Sequence, residues 1–280
     1  MSNRSILLIK APDEIGLVYR VSSILNDMNL NIEHNGEFVD RAERQFFMRT
    51  EISGTFDHKK LLMLLEDKLP KHSEIKLQVG EKKRVVIMVT KEAHCLGDLL
   101  IRHEFNELNA EIVGVVGNYR VLEPLTKKFD IPFYYVDHNN ISREEHEQKI
   151  FEIVDTFNPD HLVLAKFMRI LTPEFVEHYK DKIVNIHHSF LPAFIGAKPY
   201  LQAYNRGVKI IGATAHFVNN DLDEGPIIAQ DVIPVDHSDS AEDMALLGHD
   251  VEKIVLAKAL RLVFDDKVLV HKNKTIIFDA

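Results

Sequence analysis

The stretch IVNIHHSFLP, residues 183–192, joins a short run of apolar residues to a polar turn. Its first four residues are typical of the end of a buried strand, and residues two apart in a strand point to the same side. Asn185 and His187 therefore lie together at the carboxyl end of this strand. Because open α/β sheets bind their ligands at this end of their strands, the stretch predicts both a fold class and the place of a site.

Asn185, His187 and Asp223, which lies in the segment DLDEGP (residues 221–226), form a set that can move an acyl group. An amide can donate a hydrogen bond to a developing oxyanion. An imidazole exchanges a proton near neutral pH, and a carboxylate can fix its tautomer or polarise a water. Asn-x-His alone is a weak pattern, since a histidine at a strand end is more often structural. Asp223 and the flanking residues favour the catalytic interpretation.

Strand-like and helix-like segments alternate along residues 84–280, which predicts a Rossmann-like, mostly parallel α/β domain. The predicted strands are Val85–Val89, Ile112–Val116, Phe133–Val136, His161–Ala165 and the strand at Ile183. The helices begin at Cys95, Leu122, Ser142 and Pro173, and a long one covers Ala241–Phe264. Ala213–Val218 and Ile227–Val235 are expected to be antiparallel, and a hairpin closes the chain.

Residues 1–80 predict a separate domain with the ferredoxin-like order βαββαβ. Its first helix carries apolar residues from Ile15 to Met28 at helical spacing, with Asp13 available to cap the N-terminus. Residues 31–39 and 45–52 resemble a hairpin, a second helix ends before Pro70, and Ile75–Val79 alternates as a last strand. Gly80–Lys83 is a short polar linker.

Charge and cysteine content exclude several classes of protein. The net charge is −9, and the first 80 residues, with 11 Lys+Arg and 12 Asp+Glu, carry only one of these negative charges. An acidic second domain disfavours a nucleic-acid partner, which needs a basic surface. A single cysteine, Cys95, fits a reducing cytoplasm, and no apolar run suggests a signal segment or a membrane span.

Four motifs, in the expected order, resemble the catalytic core of folate-dependent formyltransferases. They are residues 185–192, GATAHFV at 212–218, LDEGP at 222–226 and the hinge-like AKFMRIL at 165–171. The resemblance covers residues 84–280 and implies that Asn185, His187 and Asp223 are the catalytic residues. His216 matches a supporting histidine of that family.

The same resemblance implies that 10-formyltetrahydrofolate is the substrate, with no permanently bound cofactor. Its pteridine is expected near the hinge, where Met168, Arg169, Ile170 and Leu171 are the candidate contacts, and near the loop that contains Asp221. The spacing of His, Cys and acidic residues gives no metal signature, so no metal site is predicted.

Departures from the family pattern indicate the formyl acceptor. The purine-pathway branch grips the acceptor's phosphate with a glycine-rich loop after the first strand, but here residues 89–97 hold one late glycine and Glu92, which would repel a phosphate. The branch that formylates tRNA has an extra C-terminal domain and no added front domain. The segment FIGAKPY at 194–200 and the added front domain resemble the hydrolytic branch, in which water replaces the amine and formate is released.

The front domain resembles an ACT domain, a module that often binds amino acids, through PDEIGLV at 12–18 and NLNI at 29–32. Asp13, Glu14, Gly16 and Asn31 are the candidate contacts for an amino-acid effector. Gly16 would allow close packing or the close approach of a ligand at the helix start. The alternative is a module that only pairs subunits, and in either case a homo-oligomer is expected.

The sequence also allows two alternative functions and gives expectations for three further residues. The rivals are formyl transfer to an amine, such as that of a nucleotide sugar, and a folate- or amino-acid-sensing protein without catalysis. His188 follows His187 along the strand and is expected to face away from the site. Cys95 is expected to pack in the core rather than act as a nucleophile with His94. Lys198 either contacts the ligand or lies on the surface.

Overall fold

The computed structural model describes residues 4–193 and 199–279, which divide into two compact units. The first unit contains residues 4–81, 266–269 and 276–279. The second contains the described residues of 82–265 together with 270–275. The domain limits that the sequence predicts, 1–80 and 84–280, stay a prediction. Lys198 lies outside the described residues.

The described part of the first unit is a four-stranded antiparallel sheet with two helices. Its strands are β1 (Arg4–Pro12), β2 (Asn31–Asp40), β3 (Gln45–Ser53) and β4 (Glu74–Val79). Its helices are α1 (Leu17–Asp27) and α2 (His58–Lys68). The strand order is β2-β3-β1-β4, and each neighbouring pair is antiparallel. The predicted ferredoxin-like plan is confirmed.

The core of this unit follows from the alternation of apolar residues along β1. Leu7, Ile9 and Ala11 are fully buried and belong to one cluster with Val21 and Leu25 of α1. Because their side chains share one face of the strand, the helices cover that face. Each large apolar side chain buried here stabilises the fold by roughly 1.5–3 kcal/mol relative to its exposed state.

The predicted N-cap of α1, Asp13, is wrong by three residues. The helix begins at Leu17, its N-cap is Gly16 in the left-handed region (φ 87°), and no side chain caps it. Asp13 instead donates its backbone N–H to the Arg44 carbonyl at 2.8 Å, and Ile15 is 97% exposed. A Cβ at Gly16 would meet no atom within 4 Å, so the position requires glycine for its backbone conformation and not for close packing.

Replacing Gly16 by alanine is expected to lower the free energy of unfolding by about 1–2 kcal/mol, because an L-residue is strained at this φ. Gly97 is the matched control, since it lies inside a helix and a methyl group added there would lie 4.0 Å from its nearest neighbour. Gly97→Ala should raise the free energy of unfolding slightly through helix propensity. Urea denaturation of both variants checks the pair, and equal effects of the same sign would contradict the assignment.

The second unit is built around a larger sheet. Its strands are β5 (Lys83–Val89), β6 (Ala110–Gly117), β7 (Phe133–Tyr135), β8 (His161–Leu164), β9 (Ile183–His187), β10 (Ile210–Phe217) and β11 (Ile227–Pro234). Its helices are α3 (His94–Glu104), α4 (Glu123–Lys127), α5 (Arg143–Val154), α6 (Pro173–His178), α7 (Pro199–Arg206) and α8 (Ala241–Phe264).

Within the described residues this sheet has seven strands in the order β11-β10-β9-β8-β5-β6-β7. The strands from β9 to β7 are parallel, whereas β10 and β11 are antiparallel to their neighbours. The predicted mostly parallel α/β fold and the antiparallel pair are therefore confirmed. A final hairpin is formed by β12 (Val268–His271) and β13 (Lys274–Ile277).

Helix α8 is the longest element of the second unit and packs against β9, β10 and β11. It begins at a capping box, in which Ser240 and Asp243 satisfy each other's backbone N–H groups. Its buried stripe includes Val251, Val255 and Leu262 at helical spacing. None of the described helices is both long enough and apolar enough to cross a membrane.

Candidate active site

A cavity of about 400 Å³ opens beside the carboxyl ends of β8 and β9. Its walls come mainly from three segments: residues 164–171 after β8, residues 185–188 at the end of β9, and residues 216–223 from β10 and its following loop. The site therefore lies at the edge of the sheet where the alternation of strands and helices predicts a ligand.

The predicted folate contacts all line this cavity: Met168, Arg169, Ile170, Leu171 and Asp221. The side chains of Met168 and Ile170 are 56% and 55% exposed, although both are apolar. Exposed apolar side chains around a concave surface that also carries a few polar groups are typical of a small-molecule site.

His187 and Asp223 form a hydrogen-bonding contact in the wall of the cavity. Nδ1 of His187 lies 3.2 Å from Oδ1 of Asp223, and the imidazole is only about 5% exposed. A hydrogen on Nδ1 leaves the lone pair on Nε2, and Nε2 is buried with no hydrogen-bond partner among the described residues. His187 lines the cavity, so a ligand bound there is the partner that this nitrogen lacks among the described residues.

Backbone conformation places the Asp223 carboxylate. Asp223 has a left-handed φ of 57°, and two residues later the chain returns against β10. A Cβ at Gly225 would lie 1.8 Å from the Phe217 carbonyl oxygen, so this return requires glycine. Burial alone would raise the pKa of Asp223, but the hydrogen bond from His187 and the neighbouring imidazoles outweigh it and lower the pKa. The carboxylate is thus ionised at neutral pH.

His216 orients the amide of Asn185. Its Nδ1–H donates to the Phe217 carbonyl at 2.9 Å, which leaves Nε2 to accept from Nδ2 of Asn185 at 3.2 Å. Burial lowers the pKa of His216, so the neutral imidazole that this arrangement needs is favoured. One amide hydrogen of Asn185 is occupied in this way, and the second has no partner among the described residues, while Asn185 lines the cavity.

The predicted orientation of His188 is wrong. β9 ends at His187, so the alternation of a strand no longer applies one residue later. The His188 ring stacks on the His187 ring at a centroid distance of 5.0 Å, and both residues line the cavity. Burial, assisted by the nearby Lys166 and His187, lowers the pKa of His188 to about 4.

A buried polar network borders the site, and sequence reasoning missed it. Glu252 of α8 is fully buried and accepts from Nε2 of His94 at 2.8 Å and from the Tyr200 hydroxyl at 2.6 Å. Nζ of Lys166, itself 4% exposed, lies 3.1 Å from the same carboxylate. The available signal was a glutamate inside the apolar stripe of a long helix, since a buried acid requires partners.

Potential metal ligands also meet in this network. Glu92, His94 and His249 bring one ligand atom each within 4.8 Å of one another, as do His94, Cys95 and Glu252. The Lys166 ammonium already supplies a cation to both carboxylates. The His94 and His249 rings are stacked with an interplanar angle of 11°, so their nitrogen lone pairs lie in two nearly parallel planes. The expected absence of a metal site stays a prediction.

Cys95 is a poor candidate nucleophile. Its side chain is fully buried beside Leu96 and Leu99 in α3. Burial, with the nearby Glu252, raises the pKa of the thiol well above its ordinary value, so the reactive thiolate is disfavoured. The residue packs in the core, as the sequence predicts.

The Glu252 network makes a specific contribution to acid stability. Burial would raise the pKa of Glu252, but the hydrogen bond from His94 and the charge of Lys166 lower it to about 2 from 4.5. The resulting stabilisation is complete above pH 4.5 and is lost as the pH falls toward 2. Wild-type protein should therefore be more stable to unfolding than Glu252→Gln at pH 4.5 and above. This difference in the free energy of unfolding should decrease by about 3 kcal/mol as the pH falls to about 2. Denaturant titrations at several pH values measure this difference, and a constant difference would refute the expectation.

The candidate effector contacts lie in the first unit, where two of them have local partners. Glu14 pairs with Arg20, and Nδ2 of Asn31 donates to Glu33 at 2.8 Å. Asp13 and Gly16 lie in the turn before α1. Binding of an effector by Asp13, Glu14, Gly16 and Asn31 stays a prediction.

Known proteins resemble this chain over its whole length. Residues 83–260 match the family model described as formyl transferase. Formyltetrahydrofolate deformylase from Haemophilus influenzae is 52% identical over 277 residues, which cover 99% of this chain and 100% of that protein. The enzyme of the same name from Escherichia coli K12 is 54% identical, with 98% of both chains covered.

A solved structure extends the likeness to three dimensions. The crystal structure of a formyltetrahydrofolate deformylase from Pseudomonas syringae pv. tomato matches with a TM-score of 0.96 at 41% identity. The match covers 100% of this chain and 95% of that one. The relatives agree with this chain in sequence and in fold, and the chain belongs to the formyltetrahydrofolate deformylase family.

Proposed function

We propose that this protein hydrolyses 10-formyltetrahydrofolate to formate and tetrahydrofolate in the cavity between residues 164–171 and 216–223. The observation that carries the proposal is the His187–Asp223 contact of 3.2 Å, which leaves Nε2 of His187 as the unpartnered nitrogen, beside the oriented amide of Asn185 in the lining of one cavity. An oxyanion donor and a proton-transfer pair in one wall are what hydrolysis of a formamide needs.

The substrate would place its pteridine among Met168–Leu171 and the loop that contains Asp221. The apolar side chains of this region can stack on the ring system, while Asp221 and backbone groups provide polar contacts. This placement brings the formyl group, which lies farther along the substrate, toward Asn185 and His187.

In the proposed reaction a water oxygen forms a bond to the formyl carbon. The formyl oxygen becomes an oxyanion and accepts the free amide hydrogen of Asn185. Asp223, ionised at neutral pH, holds and polarises the water, and the His187–Asp223 pair takes one of its protons. Nε2 of His187 then passes a proton to N10 of the folate as the C–N10 bond breaks. Formate leaves ionised, so one proton is released to solvent in each turnover.

An acceptor-free assay tests this function. Incubated with 10-formyltetrahydrofolate alone, the protein should release formate and tetrahydrofolate in equal amounts. Formate can be measured with a coupled dehydrogenase and tetrahydrofolate by absorbance. Turnover that depends on an added amine would support a transferase instead, and binding without turnover would support a sensor.

We also infer that the protein acts in the cytosol as a homo-oligomer and responds to an amino acid at its first unit. The free thiol of Cys95 fits a reducing compartment. β2 is an edge strand of the first sheet and carries the 44%-exposed Phe38, which suits pairing between subunits. Light scattering tests the oligomeric state. Repeating the formate assay with each of the common amino acids tests the effector.

A further inference from the structure

The crevice beside β5 is where this type of sheet usually receives a ligand. The chain leaves β5 toward β6 on one side and later returns to β8 on the other, so the topological switch point lies between β5 and β8. Ligands of open α/β sheets bind outside the carboxyl ends of the strands at such a point. Here the residues after β5 include Glu92, and the residues after β8 include Lys166.

This crevice is occupied by protein side chains. Glu252 reaches it from α8 and binds three partners that come from different elements: His94 from α3, Tyr200 from α7 and Lys166 from the loop after β8. Every partner lies within 3.1 Å of the carboxylate. Four elements are therefore tied together at the switch point by one buried acid.

Tyr200 packs tightly against α8. A Cβ added at Gly248 of α8 would lie 2.1 Å from the Tyr200 hydroxyl oxygen. The helix can approach the phenol this closely only because residue 248 is glycine. The Tyr200 side chain, half-buried and hydrogen-bonded to Glu252 of α8, thus fills this side of the crevice.

The charges of the residues that fill the crevice oppose an anionic ligand. Glu92 lies 3.7 Å from Nζ of Lys166 and 3.5 Å from Nε2 of His249, so two carboxylates face a single ammonium. Burial lowers the pKa of His249, which keeps that ring neutral at neutral pH. The N-terminal end of α3 would otherwise attract a phosphate, and these carboxylates counter it.

We propose that the Glu252–Lys166–Tyr200 wall, with Glu92 at its mouth, determines the acceptor by excluding amines from the formyl carbon and leaving room for water. Lys166 joins the wall to the cavity, because it is one of the residues that line the cavity together with Asn185 and His187. The inference rests on the proposed deformylase function and adds the reason for its choice of acceptor.

The ratio of the two possible products, N-formylglycinamide and formate, tests whether the wall excludes amines. Wild-type protein and variants are incubated with 10-formyltetrahydrofolate and an excess of glycinamide, and the products are separated by mass spectrometry. Transfer to glycinamide forms one C–N bond and breaks the C–N10 bond, and an amine proton goes to N10. It therefore gives N-formylglycinamide and tetrahydrofolate, whereas hydrolysis gives formate and tetrahydrofolate.

Wild type is expected to give formate with little N-formylglycinamide. Tyr200→Ala opens the wall and should raise the ratio of N-formylglycinamide to formate at least about tenfold, which corresponds to about 1.4 kcal/mol of discrimination. Tyr200→Phe keeps the ring and should keep the wild-type ratio. An unchanged ratio in a folded and active Tyr200→Ala protein would overturn the proposal.

A second variant decides the question if Tyr200→Ala does not fold. Glu92 is 40% exposed in its side chain, so Glu92→Ala opens the mouth of the crevice without burying a new cavity. A raised ratio supports the wall, and an unchanged ratio contradicts it. Wild type that formylates glycinamide as readily as it releases formate also contradicts the wall. Failure of the proposed function is recognised separately, because wild type would then release no formate without glycinamide.

Discussion

Replacement of His187 by alanine is expected to lower kcat for formate release by roughly 10²–10⁴-fold, because the variant lacks the group that transfers the proton. The imidazole is held by Asp223 through Nδ1, and its other nitrogen is unpartnered among the described residues. The loss should appear in kcat more than in KM, since the substrate's ring system binds to other segments of the cavity. Steady-state kinetics with 10-formyltetrahydrofolate and no amine measure both constants.

A surface histidine provides the matched control. His178 also lies 3.2 Å from an aspartate, Asp155, but its side chain is 49% exposed and does not line the cavity. His178→Ala removes a His–Asp contact of the same length and should leave kcat near the wild-type value. Near-normal formate release by a folded His187→Ala protein would show that His187 is not the proton-transfer group.

Lys166→Met is the second change with a large expected effect, here on stability. It keeps an unbranched side chain that is one atom shorter and removes the cation beside the buried Glu252 carboxylate. Removing one partner of a buried ion pair typically costs roughly 3–5 kcal/mol, because the remaining charge is uncompensated. Guanidinium denaturation at neutral pH should show a decrease of this size in the free energy of unfolding.

The double variant Lys166→Met, Glu252→Gln tests the cause. In the double variant no buried carboxylate is left without a cation. Its free energy of unfolding should therefore be higher than that of Lys166→Met alone. Lys253 provides a control pair on α8, the helix that carries Glu252. Its Nζ lies 2.7 Å from Oδ1 of the largely exposed Asp250. Lys253→Met should change stability far less, because solvent screens that pair. Equal losses in Lys166→Met and Lys253→Met would contradict the role of burial.

The sequence predicted the parts of the structure that depend on local pattern. Alternation of strands and helices indicated the parallel sheet, and residue spacing placed Asn185 and His187 at one strand end, where both line the cavity. The segment around Asp223 pointed to the same site through its resemblance to a known family. Its 3.2 Å approach to His187 depends on a left-handed turn, and single residues do not encode such a turn unambiguously.

Predictions failed where a single backbone conformation decided the outcome. Gly16 starts α1 without a side-chain cap, so Asp13 is not needed there and Ile15 turns outward. His188 faces the cavity because β9 ends one residue before it. A strand or helix period describes the interior of an element, and it carries no information once the element has ended.

The Glu252 network was beyond sequence reasoning for a different reason. His94 and Glu252 are 158 positions apart, and Tyr200 and Glu252 are 52 apart. Their meeting requires α3, α7 and α8 to be packed on the sheet first. A buried acid in an apolar stripe indicates that partners exist, but tertiary structure alone identifies them.

The positions of two residues along helix α8 determine whether they contact Tyr200. Gly248 and Glu252 lie one turn apart on the face that contacts Tyr200. One residue inserted between Ser240 and Gly248 would rotate everything after it by about 100° and carry both residues away from Tyr200. In a family of such sequences, insertions and deletions should therefore be tolerated in the turns on either side of α8 and be absent within its first three turns. The count of residues along one helix, and not only their identity, sets which molecule can attack the formyl group.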